Sequence, residues 1–310
     1  MPHVLSVVLP IFALILVGWL CRRSNRLGPQ AASEINRLVV WLCLPALLFK
    51  VTATATWAEI WQPGFLAAFT GGCLLVFFAT LAWRLVQGRA LPAASIDGLS
   101  ASYANTGYMG IPLCLLVFGQ DGLEPALIAS LLVVCVLFAI AVVFIEVGLQ
   151  TEKHIGRAVW VVTKALGKNP LVVSPIIGGL WAASGVGLPE PLLHFLDMLA
   201  AATTPCALVS LGLFLAQRQE GGEQVGAWPL VVIKLVGQPL LTGFLAYQVF
   251  DLPPLWADSA LLLSALPTGT GPFMLAEYYQ REAAVVSRSI LLSTLGSLVT
   301  LSLCLLWIAR

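Results

Sequence analysis

Ten apolar runs follow one another along this chain, at 4–21, 35–51, 64–86, 99–118, 125–149, 170–188, 192–216, 229–250, 259–278 and 283–309. A bilayer's hydrocarbon core is about 30 Å thick, and a helix crossing it takes roughly 20 mostly apolar residues. Charged residues make up only 10% of the chain, against about a quarter in water-soluble domains. Too few polar side chains remain to coat a body of 310 residues, so lipid is the solvent this sequence requires. Other classes fall away on the same grounds. Sixteen Lys+Arg against 15 Asp+Glu give no global field for nucleic acid. Cys21, Cys43, Cys73, Cys114, Cys135, Cys206 and Cys304 lie in or beside apolar runs without a CxxC pair. They read as reduced thiols, not as a disulfide frame.

The basic residues orient the chain. Thirteen of the 16 fall in connectors after odd-numbered spans or at their rims, from Arg22, Arg23 and Arg26 to Arg281 and Arg288. The opposite side holds Lys50 and Arg310, and Lys234 lies inside a span. By the positive-inside rule both termini face away from the cytoplasm, and the expected location is the cytoplasmic membrane. The first run has no basic residue ahead of it and is read as a span, not as a signal peptide. The longest connector, 150–168, repeats Ile155, Val159, Val162 and Leu166 at helical spacing among Lys153, Arg157, Lys164 and Lys168. That pattern predicts an amphipathic helix lying on the anionic cytoplasmic leaflet.

This connector divides the chain into residues 1–150, a linker 151–168 and residues 169–310, with five spans in each outer part. Five is odd, so the second half enters the membrane from the opposite face and any repeat is inverted. Helix breakers sit at corresponding places. Span 2 carries Pro45 and span 7 carries Pro205, and these two kinked spans are expected to flank the binding site. Span 4 is predicted to break over Asn105-Thr106-Gly107-Tyr108-Met109-Gly110-Ile111-Pro112, and span 9 over Pro267-Thr268-Gly269-Thr270-Gly271-Pro272. Both breaks fall near mid-span, where irregular backbone survives only if protein surrounds it or it lines a cavity. Paired interruptions of this kind mark inverted-repeat transporters whose broken helices meet at the binding site. Pro112 and Pro272 suit the first turn of each second half-helix. The half-helix N-termini then aim N–H donors and partial positive charge at the break, beside the side chains of Asn105, Thr106, Thr268 and Thr270. Such a donor-rich pocket suits a carboxylate.

Of the charges within spans, Arg37, Lys50, Arg84, Glu146, Glu277 and Arg288 are near enough to an end to snorkel. Lys234 and Asp197 lie deeper and are read as candidates for a charge or coupling role. His3, His154 and His194 are scattered, and neither a GxSxG elbow nor a phosphate-binding G-x-x-x-x-G-K-[ST] loop occurs. No metal, cofactor or intramembrane enzyme is expected.

LCLPALLF at 42–49, ANTGYMGIPL at 104–113, NP at 169–170, KLVGQPLL at 234–241, LPTGTGPFMLAEYY at 266–279 and SRSILLSTLGSLVTLSL at 287–303 resemble stretches typical of the auxin efflux carrier family, including its bacterial malonate-carrier-like members. The resemblance covers essentially the whole chain. It implies an all-α integral membrane fold of ten transmembrane helices, as two inverted five-helix repeats with broken, crossing helices 4 and 9. The architecture would be like that of sodium/proton antiporters and bile-acid symporters, with a scaffold domain beside a transport domain. It implies alternating-access transport of a small organic anion, such as malonate or an auxin-like indole acid, with Asn105, Pro112 and Pro267 at the crossover positions. Many members read PTxTN in the second break, and this chain has Gly271 where they have asparagine. A uniporter or channel on the same fold is the rival reading. Coupling to protons, to sodium or to the membrane potential alone stays open, as does a homodimer.

Overall fold

The computed structural model describes residues 2–54, 56, 61–149, 164, 167–168, 170–216 and 226–308. Nearly all of them are helical, and the amphipathic helix expected over 150–168 lies almost wholly outside them. Six helices among the described residues are long and apolar enough to cross a bilayer: Ala31–Thr54, Pro63–Val86, Leu123–Leu149, Glu190–Leu215, Ala227–Val249 and Ala283–Ile308. The chain divides into two compact units, Met1–Trp61 with Gly167–Gln219 and Gln62–Leu166 with Glu220–Arg310. Each unit thus draws one stretch from either side of the central connector.

The first unit holds α1 (Pro2–Arg23), α2 (Ala31–Thr54), α7 (Pro170–Ala183) and α8 (Glu190–Leu215). Arg22 and Arg23 in its last turn suit the negative end of α1. The helix stops where Asn25 takes a left-handed conformation, φ 54°. Lipid offers no hydrophobic drive for helices to associate, so close backbone packing through small residues has to hold them. Gly18 of α1 and Gly212 of α8 do this. A Cβ on Gly18 would stand 3.0 Å from the Val209 carbonyl carbon, and one on Gly212 would stand 2.8 Å from the Trp19 nitrogen. Gly178 of α7 likewise abuts α2, with the Phe49 carbonyl oxygen 2.6 Å from where its Cβ would be. Gly212→Leu should therefore separate α1 from α8 and destabilise this unit by about 1–3 kcal/mol or more. A melt of the purified variant would show it, and a wild-type midpoint would contradict the packing described.

The second unit holds α3 (Pro63–Val86), α4 (Leu91–Ser102), α5 (Thr106–Phe118), α6 (Leu123–Leu149), α9 (Ala227–Val249), α10 (Pro254–Ser264), α11 (Gly271–Tyr278) and α12 (Ala283–Ile308). α4 is its centre, with every residue from Pro92 to Ser102 buried and α3, α6, α9, α11 and α12 packed around it. Its serines do not need lipid-exposed partners. Ser95, Ser100 and Ser102 each donate to the carbonyl four residues back. α12 buries Ser287 and Ser289, which donate to the carbonyl four residues back, and Ser293 and Ser297, which donate to the carbonyl three residues back.

Three prolines interrupt helices by one local device. Pro45, Pro112 and Pro239 each stand two residues after a π-helical turn, at Val39–Cys43, Thr106–Gly110 and Ile233–Gly237. Proline lacks an N–H, and its ring crowds the carbonyl four residues earlier. An i→i−5 turn moves that carbonyl aside and lets the helix continue. Pro205, by contrast, sits inside α8 with no such turn around it.

Candidate functional site

Two helix pairs in the second unit are interrupted by extended backbone. α4 ends at Ser102 and α5 starts at Thr106; α10 ends at Ser264 and α11 starts at Gly271. The first break therefore lies at Tyr103–Asn105, earlier than the 105–112 stretch expected from sequence, because the π turn absorbs Gly110 and Pro112 into α5. Pro112 opens only the regular part of α5, and the N-terminal end facing the break belongs to Thr106 and Gly107. At the second break Pro272 lies in the first turn of α11.

The two breaks satisfy each other. Ala104 and Thr268 form an antiparallel bridge. The Asn105 N–H donates to the Pro267 carbonyl and the Gly269 N–H donates to the Tyr103 carbonyl, each at 2.9 Å. Side chains complete the junction. Thr268 Oγ1 donates to the Ser100 carbonyl at 2.9 Å, and the Thr268 N–H donates to Ser293 Oγ at 3.1 Å. Buried backbone groups left unpaired would each cost several kcal/mol in this setting, and this miniature ladder removes much of that cost.

Four helix ends meet here, and the two negative ones are capped from a single helix. Lys234 of α9 is fully buried, and its Nζ donates to the carbonyl of Ser264, the last residue of α10, at 2.8 Å. One turn later Gln238, also fully buried, donates from Nε2 to the carbonyl of Ser102, the last residue of α4, also at 2.8 Å. Lys234 and Gln238 thus serve the C-terminal ends of both interrupted helices. Sequence reasoning flagged Lys234 and missed Gln238. Their spacing of four on a predicted helix was the available signal, because it puts both on one face.

At the two positive ends side-chain donors are uncommitted among the described residues. Asn105 is 4% exposed, and its side-chain amide forms no hydrogen bond with any described residue. Thr106 is 1% exposed and its Oγ1 is buried without a partner among the described residues. Thr270 is partly exposed ahead of α11, and its carbonyl accepts from the Met274 N–H. Thr268 differs from these, since its hydroxyl hydrogen is already engaged by Ser100. Asn105, Thr106, Gly107, Thr268, Gly269, Thr270 and Gly271 are gathered at one junction with Pro267, and buried Tyr108 follows in the π turn. Pro45 and Pro205 lie in the other unit, on α2 and α8.

The remaining charges depart from simple snorkelling. Arg84 is 7% exposed and its Nε lies 3.0 Å from Oδ2 of Asp97, which is fully buried. Arg89 bridges the same Asp97 oxygen at 3.4 Å and Glu282 at 2.7 Å. Glu146 accepts from the Tyr279 hydroxyl at 2.6 Å. In the first unit Asp197 pairs with Lys50, both side chains being partly exposed.

Comparisons with known proteins identify the family. The family model described as membrane transport protein matches residues 3–305. A protein of Rhizobium meliloti (strain 1021) named "Putative malonate transporter" is 30% identical over 97% of this chain and 95% of its own. An uncharacterized transporter of Methanocaldococcus jannaschii is 25% identical over 96% of this chain and 97% of its own. Auxin efflux carrier component 8 of Arabidopsis thaliana is 24% identical over 96% of this chain and 95% of its own. The chain is a multi-pass membrane protein and belongs to the membrane transport protein family that includes the auxin efflux carriers.

Proposed function

We propose that this protein is a secondary transporter that moves a small organic anion across the cytoplasmic membrane by alternating access. In this reading ten spans form two inverted five-helix repeats, with both termini on the non-cytoplasmic side. The carboxylate binds where α4–α5 and α10–α11 meet. The observation that carries the proposal is the set of uncommitted donors at that junction, the Asn105 amide above all. Thr106, Thr270 and the backbone at Gly107 and Gly271 supply the further donors, and the N-terminal ends of α5 and α11 favour negative charge. Thr268 serves to hold the junction. Lys234 offsets the negative end of α10, so that the site presents donors without facing a carbonyl end. Asp197 could carry a proton only by releasing Lys50 in each cycle, which makes it the lesser candidate for coupling.

A short dicarboxylate is the favoured substrate, supported by the name of the Rhizobium relative. Counterflow in proteoliposomes, with pH and potential clamped, separates a carrier from a channel. Preloaded unlabelled malonate should drive transient accumulation of labelled malonate. Plain equilibration without overshoot would place the protein with uniporting channels instead.

A further inference from the structure

The second break lacks a side chain at Gly271, and the space one would occupy is filled by Tyr103 from the first break. A Cβ at residue 271 would stand 2.6 Å from Tyr103 Cε2 and 2.9 Å from its hydroxyl oxygen. One at Gly269 would meet the other edge of the ring, Cδ1 and Cε1, at 2.9 Å. The ring therefore rests on the bare backbone of Gly269–Gly271. It also makes an edge contact with Phe138 of α6, centroids 6.5 Å apart. Tyr103 is 8% exposed, yet its hydroxyl bonds to no described residue. Packing alone would be served as well by phenylalanine, which carries no hydroxyl to satisfy. That hydroxyl sits at the first residue of α11, the positive end of the helix, and Asn105 stands two residues further along the same extended strand.

We propose that Tyr103, seated on Gly269 and Gly271, is the specificity-determining residue of the site. Its hydroxyl donates to a substrate carboxylate from the position where a side chain at 271 would otherwise reach. Its ring walls off that side of the junction and restricts the site to short, unbranched dicarboxylates. The two glycines are required because any larger residue would displace the ring. This inference rests on the anion site proposed above, at the same junction.

The test measures equilibrium binding of malonate and of phenylmalonate to purified wild type, Tyr103→Phe, Tyr103→Ala, Gly271→Ala, the Tyr103→Ala/Gly271→Ala double variant and Asn105→Ala. Wild type should bind malonate and not phenylmalonate. Tyr103→Phe, which keeps the ring, should weaken malonate about tenfold, the usual effect of losing one hydrogen bond to a charged group. Tyr103→Ala should bind phenylmalonate. Gly271→Ala should weaken malonate in the wild-type background and have little further effect once Tyr103 is alanine, the non-additivity expected of residues in direct contact. If Asn105→Ala weakens malonate while the Tyr103 and Gly271 variants bind both ligands as wild type does, this proposal falls and the site stands. If the Asn105 variant also binds malonate as wild type does, or no dicarboxylate binds at all, both fall.

Discussion

Asp97→Ala should destabilise the protein by about 3–5 kcal/mol, the range for removing one partner of a buried ion pair. Asp97 is fully buried on α4, the central helix of its unit, and it answers both Arg84 from the end of α3 and Arg89 from the following turn. Removing the carboxylate leaves the Arg84 guanidinium buried at 7% exposure, held among the described residues by the Gly226 carbonyl at 2.7 Å, the Gln87 side chain at 3.0 Å and the face of Trp83. Arg89 keeps Glu282 and is more exposed, so the loss concentrates on Arg84. A double variant, Asp97→Leu with Arg84→Met, should recover much of the stability, because it removes the desolvated charge together with its partner. Thermal melts of the purified variants decide this; equal damage in the single and double variants would contradict it.

Lys234→Met should have the next largest effect, acting on transport more than on folding. The substitution keeps the apolar stem but leaves the Ser264 carbonyl unpaired in the interior, at a cost of about 1–3 kcal/mol. That carbonyl closes α10 directly ahead of the break, so the relaxation falls on residues 265–270, which carry Thr268 and Thr270. Uptake in proteoliposomes should fall at least tenfold at equal reconstituted protein. Gln238→Leu removes the matching bond to Ser102 and should do less, since Thr268 also ties its own break to α4 through the Ser100 carbonyl. Wild-type uptake by Lys234→Met would remove the capping role from the account.

Much of this organisation is legible in the sequence because glycine, proline and threonine cannot be placed mid-span without a reason. Pro267 to Pro272 marked the second break closely. The first was displaced, since Pro112 was read as the start of a half-helix while the π turn at Thr106–Gly110 carries the helix past it. Proline in a sequence shows that a hydrogen bond is missing, not how the backbone accommodates the loss. α4 was legible only in its last residues because its serines lower its apolarity, and they are tolerated only because each closes a bond on its own helix. Arg84 looked like a snorkelling residue because Asp97 lies across a turn on the next helix. Lys234 with Ser264, Gln238 with Ser102, and Tyr103 with Gly271 are partners far apart along the chain, and no periodicity reveals them. Gly271 was visible as the loss of an amide. Only the structure shows an aromatic ring in its place.

The central claim is that the junction of the two breaks binds a carboxylate through Asn105. Calorimetric titration of purified wild type and Asn105→Ala with malonate and with its uncharged diamide tests it most directly. The account predicts that wild type binds malonate and not the diamide. It also predicts that the variant, folded and with a melting midpoint near that of wild type, binds malonate about 10- to 150-fold more weakly, as a hydrogen bond to a charged group of about 1.5–3 kcal/mol implies. Equal binding of malonate and diamide, or malonate affinity unchanged in Asn105→Ala, would contradict it.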